Sequence, residues 1–96
     1  MSGGNWKDMF AAIQKGDFEL VDFHLRMGVD PNYQHPEFMT TFLLEAIRKD
    51  RFEIAELLLK SGADPNAKEI WGDDSPLPLA KAKGNHRLVK LIKDNL

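Results

Sequence analysis

A segment of this chain returns at a fixed offset of 34 residues. Gly28-Val29-Asp30-Pro31-Asn32 reappears as Gly62-Ala63-Asp64-Pro65-Asn66, and Phe18-Glu19-Leu20-Val21 as Phe52-Glu53-Ile54-Ala55. A partial third copy follows, because Ala12, Ala46 and Ala80 share one register, as do Met9, Leu43 and Leu77, and Leu20, Ile54 and Leu88. A unit this short cannot enclose a core of its own. Its apolar face must be covered by the next unit, so the period predicts a stacked linear array. Copies at about 5–34, 35–68 and 69–96 make a single domain of residues 1–96.

Each copy reads as two short helices and a loop. Thr41 precedes the apolar run Phe42-Leu43-Leu44-Glu45-Ala46-Ile47, where its hydroxyl can cap a helix by accepting from a free backbone N–H. Ser75-Pro76 repeats that signal, with proline at the first helical position, where no N–H is needed. From Phe52 to Lys60 the apolar residues fall at helical spacing and leave Glu53, Glu56 and Lys60 to solvent. Asp50 and Glu53 have the spacing of a capping pair, and Gly28 and Gly62 can take the left-handed conformation that ends such a helix. Pro65 then turns the chain, since it cannot donate to a helix and disfavours α geometry at Asp64. Helix pairs are thus expected over 5–27, 41–61 and 75–95, joined by two long loops.

These residues resemble the ankyrin repeat from about Trp6 to the end of the chain. The resemblance rests on Gly62-Ala63-Asp64-Pro65-Asn66, on Leu57-Leu58-Leu59-Lys60-Ser61-Gly62, and on Ser75-Pro76-Leu77-Pro78-Leu79-Ala80, which looks like the family's Thr-Pro-Leu-His-x-Ala signature. The central copy departs from that signature at Phe42 and Leu44, and the first copy keeps little beyond Ala12. The family period is about 33 residues, so one extra residue per unit is expected after Asn32 and after Asn66. The resemblance implies an all-α, ankyrin-type solenoid of stacked antiparallel helix pairs with projecting loops. Stacking should bury Leu43, Ala46, Ile54, Leu57 and Leu58, while Lys93, in register with Leu59, supplies the polar exchange of a C-terminal cap. His24 is in register with Leu58 and Ile92, and is read as a histidine tolerated near the N-terminal face.

Composition narrows the function. A net charge of −2 offers no basic surface for phosphate neutralisation, so nucleic acid is not an expected partner. Without cysteine there is no disulfide framework or thiolate chemistry. The longest apolar runs are far too short to span a membrane and Met1-Ser2-Gly3-Gly4-Asn5 lacks a targeting pattern, which makes a soluble cytoplasmic protein the expectation. His24, His35 and His86 lie in different repeat contexts with no metal-ligand spacing, and Asp73-Asp74 reads as turn and cap rather than as a carboxylate pair for acid–base work. No catalytic residue, metal or cofactor is therefore expected.

The residues left over point to a protein partner. Tyr33, His35, Phe38 and Met39 in the first loop, and Ile70 and Trp71 in the second with Asp73 beside them, are bulky or charged groups where a repeat fold places its projections. Phe38 and Trp71 are 33 residues apart and could equally bind outward or stack on each other. Lys15, Lys49 and Lys83 share one position after the first helix of each copy, with Arg48 beside the second. In ankyrin-like folds this region lines the concave face, so the column would favour an acidic partner, or it is a set of solubilising cations at helix C-termini. The resulting expectation is a monomeric, non-enzymatic module that binds a protein through loop tips and concave face. The alternative is a structural protein that self-associates into a homo-oligomer.

Overall fold

The computed structural model describes residues 6–70 and 72–96. Six helices alternate along them: α1 (Trp6–Lys15), α2 (Phe18–Arg26), α3 (Phe42–Arg48), α4 (Phe52–Lys60), α5 (Pro76–Ala82) and α6 (His86–Asp94). The helices pair as α1/α2, α3/α4 and α5/α6, and the pairs stack so that α3 touches both α1 and α5 while α4 touches both α2 and α6. The array measures 36 × 27 × 22 Å.

The repeated residues acquire their meaning here. Ala12, Ala46 and Ala80 are buried on the first helix of each pair, where a larger side chain would overpack. The central α3 is covered from both sides, with every residue from Phe42 to Ile47 buried, Glu45 included. Ile54 and Leu58 are buried as expected, but Leu57 is only partly so, because it lies toward the outer side of α4. Lys93, in register with the buried Leu59, is exposed at the end of the stack.

Both Gly28 and Gly62 have φ of 104°, a conformation that a side chain resists, and the chain turns there with the Ala63 N–H donating to the Leu58 carbonyl. The following Asp-Pro-Asn then folds identically in both copies: the Asp30 carboxylate accepts from the Asn32 N–H at 2.9 Å, and that of Asp64 from the Asn66 N–H at 2.8 Å. Asn32 also reaches across the stack. Its side chain donates to the Gly62 carbonyl at 2.9 Å and accepts from the Asp64 N–H at 2.7 Å, so one turn is hydrogen-bonded to the next.

Two capping expectations are corrected. Thr41 caps α3 by accepting from the Leu44 N–H at 2.9 Å, but Ser75 makes no such bond. The residue in register with Leu44 is Pro78, which has no N–H to donate. Nor does Asp50 cap α4. The position in register with the cap residues Asp17 and Asn85 is Arg51, whose side chain makes no cap bond to its own helix. Its guanidinium instead lies over Gly16 and donates to the carbonyls of Ile13 and Gln14, closing the negative end of α1 in the preceding unit. Asp50 is one residue earlier, in register with Gly16 and Gly84, and like them has positive φ.

Candidate partner-binding surface

The first loop is held against α1 by aromatic packing. Trp6, at the start of α1, stacks nearly parallel on His35 with centroids 3.7 Å apart. Phe38 meets Trp6 edge-on at 4.9 Å and lies 4.3 Å from Phe10, one turn further along the same helix. Tyr33 leans on Trp6 at 6.4 Å. A tight turn delivers these rings: the Phe38 and Met39 N–H groups both donate to the His35 carbonyl, His35 Nδ1 accepts from the Glu37 N–H at 3.1 Å, and Met39 has φ of 56°. Phe38 therefore packs on the first repeat. Its alternative stack on Trp71 lies outside the described residues.

The rings are only half covered. Tyr33 and Phe38 each remain 37% exposed and Met39 41%. This produces a rigid apolar edge rather than mobile side chains, because the stacked faces fix the rotamers while the free edges point outward. Gln34 donates to the Lys68 carbonyl at 3.1 Å and links this loop to the second, where Ile70 is 49% exposed and Asp73 is exposed. Trp71 lies outside the described residues.

Arg48 organises the second loop from beneath. Its guanidinium donates to Thr40 Oγ1 at 2.9 Å and to Asp74 Oδ2 at 3.0 Å, pairs with Glu69, and lies 3.6 Å from Glu45 Oε1. Glu45 in turn accepts from the Gln14 side chain at 3.2 Å, so the network runs from the first repeat into the third. Partial burial opposes the Arg48 charge, but the hydrogen bonds to Asp74 and Glu69 and their negative charges outweigh it, holding its pKa above the ordinary arginine value.

The expected cationic column thereby divides. Lys15 and Lys49 are exposed. Lys83 donates to the Arg48 carbonyl at 2.9 Å and pairs with Asp50 at 3.3 Å, and Arg48 faces carboxylates. Lys83 and Arg48 thus serve the joint between the second and third units. Residue spacing did not single out Trp6 and Phe10, which support the first loop, or Glu45, Glu69 and Asp74, which engage Arg48. The Trp6–Phe10–Ile13 spacing marks a second apolar stripe on α1, and this is the one sequence signal that bears on them.

Six helices paired, stacked at a constant offset and linked by Asn-clamped turns define a helical repeat solenoid. A family model of ankyrin repeats in three copies matches residues 9–95. The chain belongs to the ankyrin-repeat family, whose members generally serve in protein–protein interaction. Among curated proteins no sequence matches it. Among the described residues no helix is long and apolar enough to cross a membrane, and no group of three or more His, Asp or Glu is placed to hold a metal ion.

Proposed function

We propose that this chain is a non-enzymatic binding module that takes a protein partner through its loop tips and the adjoining face of the first helices. The observation that carries this reading is the half-buried aromatic cluster of the first loop. Tyr33, Phe38 and Met39 present apolar edges that the described residues leave partly uncovered, on a frame held by Trp6, His35 and the α1 helix. Rigid aromatic edges lose little side-chain entropy on binding, which is why such residues dominate binding energy at protein interfaces. Ile70 and Asp73 on the second loop and Lys15 and Lys49 on the helical face complete the surface, giving an apolar centre with both signs of charge around it.

The test is affinity capture from the source lysate with the wild-type chain, a Tyr33→Ala/Ile70→Ala variant and a Lys49→Glu variant, each checked for an unchanged thermal melt. A protein retained by the wild type and lost with the first variant supports the loop surface, and loss with the second adds the helical face. Identical capture by all three overturns the assignment.

A further inference from the structure

The two ends of the stack are finished differently. The outer face of the C-terminal unit is polar, with Lys81, Lys90 and Lys93 exposed. That of the N-terminal unit is not. On α2 and its C-cap, Leu20, Phe23 and Met27 are 37%, 46% and 60% exposed, and with His24 they continue one helical face at the i, i+3, i+4, i+7 spacing. Alongside, α1 presents Asp8, Ala11 and Lys15, with the buried Ala12 beneath them, at the same spacing. Six of these eight positions and their neighbours enclose a groove of about 280 Å³ between the helices, lined by Asp8, Ala11, Ala12, Lys15, Asp17, Leu20 and His24. His24 is only 6% exposed, and neither ring nitrogen has a hydrogen-bond partner among the described residues.

We propose that this face is a self-association interface, occupied by the same face of a second copy in a two-fold dimer. The charge pattern of α1 selects that occupant. Asp8 and Lys15 stand at opposite ends of the stripe, about 10 Å apart along the helix axis, with the small Ala11 between them. A two-fold axis perpendicular to α1, passing between Ala11 and Ala12, lays the two α1 helices antiparallel. Asp8 then faces the partner's Lys15, and Lys15 faces the partner's Asp8, while Ala11 allows close approach at the axis. The same rotation sets the Leu20–Phe23–Met27 stripe against its counterpart and covers the His24 ring. The loops and Lys49 of each copy stay open for its own partner, and only Lys15 belongs to both surfaces. The dimer departs from the monomer expected of the sequence, and the uncapped α2 stripe is the reason.

Sedimentation of the full chain from about 1 μM to about 1 mM, the range in which a modest dimer dissociates, tests the proposal. The wild type should show a monomer–dimer equilibrium. Asp8→Lys and Lys15→Asp, each placing like charges opposite one another, should each weaken it by about tenfold or more, and Asp8→Lys/Lys15→Asp should restore it. Thermal melts at the dilute end, where all variants are monomeric, separate loss of association from loss of fold, because both residues are exposed. A wild type that stays monomeric throughout, larger open-ended assemblies, or a charge swap that fails to restore the dimer would overturn it.

Discussion

The Asp50 carboxylate accepts a hydrogen bond from the Asn85 side chain at 2.9 Å while its own backbone stands at φ 57°, in the left-handed region occupied by Gly16 and Gly84 at the equivalent positions. The central unit thus has a strained residue where its neighbours have glycine, and the side chain that causes the strain joins the second unit to the third through Asn85 and Lys83. Two effects of about 1 kcal/mol each oppose one another here. Asp50→Ala keeps the strain and loses the contacts, so it should destabilise by about 1–2 kcal/mol. Asp50→Gly relieves the strain and should be nearly neutral. Urea unfolding of both variants checks the order, and an alanine variant as stable as the glycine variant would refute it.

The same contact makes stability depend on acid. The hydrogen bond from Asn85 is the largest influence holding the Asp50 carboxyl below its ordinary range; burial opposes it as the next largest, and the hydrogen bond and charge of Lys83 and the charge of Arg51 add to the lowering. A carboxyl that binds protons less readily folded than unfolded stabilises the fold fully above its unfolded value of about 3.9. That contribution is lost as the pH falls through the lower folded value. The difference in stability between wild type and Asp50→Ala should therefore be constant near neutrality and shrink below about pH 4. Chemical denaturation at a series of pH values reads it directly.

Phe38 and Tyr33 are equally exposed yet should respond differently to truncation. Phe38 has its face on Phe10 and its edge on Trp6, so Phe38→Ala should cost about 1–3 kcal/mol, below the value for a fully buried ring. Tyr33 touches Trp6 at a longer 6.4 Å, and Tyr33→Ala should cost less than about 1 kcal/mol. Thermal melts of the two variants decide this, and Tyr33 is then the cleaner probe of partner binding.

Arg48 should be among the least replaceable charged residues. Without it, Glu45 at 7% exposure keeps only the Gln14 amide, and Glu69, with 14% of its side chain exposed, loses its cation. Arg48→Ala should cost about 2–4 kcal/mol, because partly buried carboxylates are left unpaired. Arg48→Lys should be intermediate, since one ammonium cannot span Thr40, Glu69 and Asp74 as the planar guanidinium does. Equal stability of wild type and Arg48→Lys by urea titration would show that the fork geometry contributes nothing.

The period alone determined the helix pairs, the buried alanines at 12, 46 and 80, and the turns at Gly28 and Gly62, because each depends on near neighbours in sequence that recur with every unit. It also located the loops and the bulky residues in them. It could not locate what those residues touch. Phe38 packs on Phe10 across 28 positions, Arg48 meets Glu69 and Asp74 across 21 and 26, and Asp50 meets Asn85 across 35. The capping expectations for Ser75 and Asp50 failed for the same kind of reason. Whether a hydroxyl or carboxylate caps a helix depends on which N–H faces it, and Pro78 offers none while Asp50 is turned toward the next unit. Local spacing governs which elements form. The side chains that differ between copies acquire their partners only when stacking brings unlike positions of neighbouring units together, and in this protein those unlike positions build the candidate surface.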